Sequence, residues 1–89
     1  MGSRGKELEA LLYEDKWLDR LEVAKDPNTS IKTLMALAKD KHLQIIEALL
    51  CNKSMPEDLQ LQIFEDQAEE IKEYLYPHLT EKNKSIVDL

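Results

Sequence analysis

The sequence predicts an all-α fold, a short helical-repeat solenoid of about seven short helices. Three observations predict it. Apolar residues recur at three- and four-residue spacing along the chain, as on one face of a helix. No segment alternates cleanly between apolar and polar residues across a hairpin turn. The apolar pattern also repeats at an offset of 26 residues. That offset carries Val23-Ala24-Lys25-Asp26 onto Leu49-Leu50-Cys51-Asn52, and Leu37-Ala38-Lys39-Asp40 onto Ile63-Phe64-Glu65-Asp66. It also carries Ile45 onto Ile71, Leu49 onto Leu75 and Ile63 onto Leu89. Helical units that repeat in this way bury their apolar faces against their neighbours.

Each element has its own local signal. Leu8, Leu11 and Leu12, then Leu18 and Leu21, share a helical face. Pro27 stops it, because proline lacks an amide hydrogen and biases Asp26 away from helix. Asn28, Thr29 and Ser30 supply a cap for a second helix running to about Lys39, with Ile31, Leu34, Leu37 and Ala38 inward. After a weak break at Asp40-Lys41, a third face carries Leu43, Ile46, Leu49 and Leu50. Asn52 is expected as its left-handed terminal residue. Ser54 and Glu57 read as a capping box around Pro56, ahead of Leu59, Ile63 and Phe64. Ile71, Tyr74 and Leu75 mark another short helix closed by Pro77, and Thr80 opens the last, with Ile86, Val87 and Leu89. Residues 1–16 are expected as a tail and capping helix, and residues 17–89 as a repeat domain of two to three degenerate units. Leu21, Leu34, Leu37, Ile46, Leu49, Leu59, Ile63 and Ile71 are the expected core. Trp17, next to Leu18, is expected to pack on it.

The stretch Val23-Ala24-Lys25-Asp26-Pro27-Asn28-Thr29-Ser30, followed by Leu34-Met35-Ala36-Leu37-Ala38-Lys39-Asp40, resembles the repeat unit of the variant leucine-rich repeat family. The second copy, from Leu49 to Asp66, keeps Asn52, Pro56 and Asp66 but loses the first proline. The resemblance covers residues 18 to 67, and a third copy from about Ile71 to Leu89 is barely recognisable. It implies a right-handed solenoid, an α-α superhelix, in which α-helices alternate with shorter, often 3₁₀, helices. It implies no reaction. Some members of the family carry an iron–sulfur module built from several cysteines; Cys51 is the only cysteine here, so that module is not carried over.

Composition excludes several function classes. The longest apolar runs are too short for a transmembrane helix, and no basic region precedes an apolar stretch as in a signal peptide. One cysteine allows no internal disulfide. A cytoplasmic location is expected. The formal net charge is −6, and residues 57 to 73 hold all of it: Glu57, Asp58, Glu65, Asp66, Glu69, Glu70 and Glu73 stand against Lys72 alone. No basic stripe is present to replace counterions on phosphates, which disfavours nucleic acid. The acidic sign disfavours anionic membranes too.

No constellation reads as an active site. His42 and Cys51 are nine residues apart, on opposite faces of one helix. His78 reaches Cys51 only if the fold brings it there. Cys51, His42 and His78 are too few for a structural zinc site. Glu69, Glu70 and Glu73 lack the Glu-x-x-His partner of a helix-borne metal pair. Asp26-x-Asn28-x-Ser30 begins like a calcium loop, then has Ile31 where glycine is required and Leu37 where the terminal glutamate belongs. The sequons at Asn28, Asn52 and Asn83 read as caps. No cofactor, metal ligand or catalytic residue is therefore expected. The expected function is a non-catalytic protein–protein interaction module; the alternative is an accessory or regulatory domain contacting nucleic acid or a nucleoprotein. The expected docking surface is Asp58, Glu65, Asp66, Glu69, Glu70 and Glu73, with Tyr74 and Tyr76 at its edge, facing a basic protein partner. Weak self-association through the C-terminal end, around Ile86 and Val87, is the other expected contact.

Overall fold

The computed structural model describes residues 16–87. They form six α-helices: α1 Trp17–Lys25, α2 Ile31–Leu37, α3 Leu43–Cys51, α4 Glu57–Glu65, α5 Glu69–Leu75 and α6 Glu81–Val87. A 3₁₀ turn, Tyr76–His78, joins α5 to α6. No strand occurs among the described residues, and no helix there is long and apolar enough to cross a membrane. The fold is all-α, as expected. Helices α1, α3 and α5 begin at residues 17, 43 and 69, so the 26-residue offset of the apolar pattern is also the offset between helix starts. The expected helix around Leu8, Leu11 and Leu12 lies outside the described residues, as do residues 88 and 89.

The helix ends follow local chemistry, with two departures from expectation. Helix α1 ends at Asp26, whose Oδ1 accepts the Asn28 amide at 2.9 Å, while the Thr29 hydroxyl donates to the Val23 carbonyl at 2.7 Å. Ser30 caps α2 by accepting the Thr33 amide at 3.2 Å. Thr80 accepts the Asn83 amide at 3.2 Å at the start of α6. Asn52, however, is extended (φ −70°, ψ 127°) rather than left-handed. Its side chain is drawn into the protein, and its Oδ1 accepts the Ser54 amide at 2.7 Å. Ser54 forms no capping box: its hydroxyl donates to the Pro27 carbonyl, and Pro56 takes the cap position of α4 with no side-chain bond. Both departures have one cause. The Asn52 Nδ2 and the Ser54 hydroxyl are used on the end of α1 and the turn after it, not on their own helices.

The core consists of Ala24, Leu34, Ile45, Ile46, Leu49, Leu50, Met55, Ile63, Phe64, Leu75 and Leu79. Helix α3 is central, packing on α1, α2, α4 and the 3₁₀ turn, and four of its nine residues are buried. Leu34, Ile46, Leu49 and Ile63 are buried as expected. Leu21, Leu37, Leu59 and Ile71 are instead half-buried at the margin, and Leu18 is 61% exposed. Helices of seven to nine residues make only about two turns, so each offers a narrow covered ridge and leaves the flanking apolar positions partly in water.

Buried carboxamides tie separate helices together. Asn52 Nδ2 donates to the carbonyls of Ala24 (2.7 Å) and Asp26 (3.1 Å), at the end of α1. Gln60 Nε2 donates to the Leu50 carbonyl at 2.7 Å, and its Oε1 accepts both the Thr80 amide and Asn83 Nδ2. Asn83 Nδ2 also lies 2.9 Å from the Glu57 carbonyl. All three side chains are buried, and no buried side-chain nitrogen or oxygen among the described residues lacks a partner.

Leu49→Ala should cost about 2–5 kcal/mol in urea unfolding, the usual range for a fully packed leucine. Asn52→Ala should cost about 1–3 kcal/mol, because it strips the donor from two carbonyls at the end of α1. A loss below half of the lower figure at either position would show that these contacts are not holding the helices together.

Candidate functional site

The acidic segment occupies α4, the bend after it and α5. Asp58, Glu65, Asp66, Glu69, Glu70 and Glu73 are all exposed, as is Tyr74, while Tyr76 is half-buried. Four acids have a local role. Glu57 and Asp58 lie in the first turn of α4, and Glu69 and Glu70 in that of α5, where carboxylates complement the helix dipole. Lys72 lies 3.4 Å from Glu65 and 3.7 Å from Glu69, with its Nζ 6.0 Å from the centre of the Phe64 ring. The two tyrosines each have a partner on another helix. The Tyr74 hydroxyl donates to Glu47 on α3 at 3.3 Å, and the Tyr76 ring sits 5.8 Å beneath Lys84 Nζ.

Beside this edge lies a groove of about 150 Å³ between α2 and α4. Met35, Ala38, Leu59 and Ile63 form its apolar wall, and Lys39 and Asp66 its polar rim. Asp66 thus belongs to both features. The groove escaped sequence reading because its walls come from helices some twenty residues apart.

A second cluster joins α3 to the 3₁₀ turn. His78 Nε2 lies 2.8 Å from Glu47 Oε2, and His78 Nδ1 lies 3.5 Å from Cys51 Sγ. The fold therefore does bring His78 to Cys51, with a carboxylate behind it. His42 is not part of this group; it sits at the start of α3 and Cys51 at its end. Burial, then the charge of Glu47, pushes the Cys51 thiol up. The Glu47 charge, then burial and the hydrogen bond to Glu47, pushes the Tyr74 phenol up. Thiolate is disfavoured again by position, because the carbonyl end of a helix repels negative charge. Cys51 lines two open clefts. One, of about 410 Å³, is lined by Lys25, Gln44 and Glu47 among others; the other, of about 560 Å³, is lined by Lys53, Glu57, Gln60 and His78 among others. No group of three or more His, Cys, Asp or Glu side chains among the described residues is arranged to hold a metal.

A third cluster is structural. Asp40 receives Arg20 Nε at 2.6 Å on one oxygen, and the His42 amide and ring Nδ1 at 2.9 Å each on the other. The His42 ring stacks on Trp17 at 4.8 Å, which places Trp17 against the core margin as expected. Burial pushes the Asp40 carboxyl up. The hydrogen bonds from Arg20 and from the His42 amide and ring, with the Arg20 charge, outweigh that and bring its pKa from 3.8 down to about 2.

Comparison of the chain with protein-family models, curated proteins and solved structures gives no match.

Asp40 makes stability depend on acid. Its folded pKa lies below the unfolded value, so its contribution is complete above pH 3.8 and is lost as pH falls through about 2. The loss should be about 1–2 kcal/mol. Unfolding of Asp40→Asn, followed between pH 5 and pH 2, should show a shallower decline than the parent. Parallel curves would remove Asp40 as the acid-sensitive group.

Proposed function

We propose that the protein is a non-catalytic protein-interaction module whose helical units stack as a short right-handed solenoid. Its docking surface is the acidic edge of α4 and α5 together with the groove between α2 and α4. The observation that carries this reading is the position of Asp66, exposed at the end of α4 and at the rim of the apolar groove. A partner that meets one feature meets the other. It would be a basic protein segment carrying an apolar side chain for the groove, with Lys or Arg for Asp66, Glu70 and Glu73. The small volume of the groove suits one anchor rather than a buried helix.

Physical arguments support the non-catalytic part. Glu47 and the carbonyl end of α3 both act against a free thiolate at Cys51. The single unpaired cysteine fits a reducing compartment such as the cytoplasm.

Complementary charge chiefly raises the association rate and selects partners, and salt screens it over about 8 Å at physiological strength. With a partner recovered by crosslinking from the native source, replacing Glu69, Glu70 and Glu73 by Gln should slow association and flatten its salt dependence. Unchanged kinetics, with circular dichroism intact, would leave these carboxylates as a solvated face only. The same protein should flow through heparin at moderate salt; retention would favour the nucleic-acid alternative.

A further inference from the structure

We propose that the groove between α2 and α4 binds a second copy of this chain, as a two-fold dimer in which α2 of each copy lies on α4 of the other. The proposal rests on the reading of this groove as a docking surface and names its partner. Helix α2 is itself a basic segment with an apolar anchor. Lys32 and Met35, three residues apart, share one stripe of α2, and Lys39, just past its end, lines the groove with Met35. Met35 is 47% exposed and Ile31, one turn before it, 45%.

The two walls of the groove carry opposite charge at equivalent places. Helices α2 and α4 start at residues 31 and 57, the same 26-residue offset that relates α1 to α3. That offset carries Lys32 onto Asp58, and Lys39 onto Glu65, the neighbour of Asp66. Lys39 and Asp66 each follow their helix and line one groove, so matching ends of α2 and α4 lie side by side. Lys32, Lys39, Asp58 and Asp66 are all exposed, and none of them is in an ion pair among the described residues. Glu65 differs, because Lys72 lies 3.4 Å from it. The two walls thus offer opposite charges that do not satisfy each other within one copy.

A two-fold interface sets one patch against itself, so the patch must be self-complementary. A two-fold axis along this groove meets that condition. It lays the basic wall of each copy on the acidic wall of the other, Lys32 toward Asp58 and Lys39 toward Asp66. Met35 of each copy then enters the other's groove, against Leu59 and the edge of Ile63. An axis across the groove would set like charges together. Helices of seven and nine residues offer a small face, at or below the low end of the roughly 1,200–2,000 Å² that stable interfaces bury. The net charge of −6 on each copy also opposes approach. The dimer is therefore weak and reversible.

Salt screens both the attraction between the walls and the net repulsion, so the test exchanges wall charges instead. Sedimentation equilibrium of the purified chain over a concentration series should show a monomer–dimer equilibrium. Lys32→Glu with Lys39→Glu makes both walls acidic, and Asp58→Lys with Asp66→Lys makes both basic. Each double variant alone should dimerise roughly tenfold more weakly or worse, since four contacts turn repulsive by symmetry. The second variant should do so although it carries less net charge than the parent, which separates wall pairing from overall repulsion. An equal mixture of the two should restore association as a heterodimer, because every acidic wall then meets a basic one. Ile86→Glu, on exposed α6, should leave the parent dimer unchanged. A parent that stays monomeric at its highest soluble concentration would overturn the dimer, while the basic-partner reading would still stand on the native partner's kinetics. Double variants that are folded by circular dichroism and dimerise like the parent would also overturn it. So would a mixture that stays monomeric, or a dimer lost only in Ile86→Glu.

Discussion

A helix that ends inside a protein leaves carbonyls without partners, and burying them unpaired costs about 1–3 kcal/mol each. Asn52 meets this constraint at the end of α1 by turning its carboxamide back onto Ala24 and Asp26. That single placement accounts for much around it. It makes Asn52 extended rather than left-handed, it spends the Asn52 oxygen on the Ser54 amide, and it leaves Ser54 pointing at Pro27. It also presses α3 against α1, where the core is centred. Gln60 and Asn83 do related work further along: Gln60 spans the end of α3 and the start of α6, while Asn83 reaches the start of α4. Short helices bury too little apolar surface to fix their own relative positions, and directional hydrogen bonds supply the register that a narrow apolar ridge cannot.

Charge is partitioned by the same economy of space. The acids in the first turns of α4 and α5 satisfy helix dipoles, and Lys72 covers Glu65 and Glu69 while lying over Phe64. Asp66, Glu70 and Glu73 stay exposed on the remaining edge. On the opposite side of the charge balance, Asp40 gathers Arg20 and His42 into one junction that links α1 to the start of α3. One set of carboxylates therefore holds the protein together, and another faces outward beside an apolar groove.

At the end of α3, Cys51 Sγ lies 3.5 Å from His78 Nδ1, and His78 Nε2 lies 2.8 Å from Glu47 Oε2, so one histidine ties the last turns of α3 to the 3₁₀ turn.

The sequence by itself determined the elements. Helical spacing, Pro27, Ser30, Thr80 and the 26-residue offset gave an all-α chain whose helix starts recur at that interval, because capping and periodicity are local properties. It also located the acidic edge, since a run of exposed carboxylates needs no tertiary contact to be seen. It misplaced Leu21, Leu37, Leu59 and Ile71 by degree: periodicity marks the inward face of a helix but not how wide a strip its neighbours cover. Only the tertiary structure decided the uses of Asn52, Gln60, Asn83 and His78. Each is a polar residue whose partner lies ten to twenty-eight positions away, and a side chain's hydrogen-bonding capacity does not reveal which backbone or sulfur the fold will place within its reach.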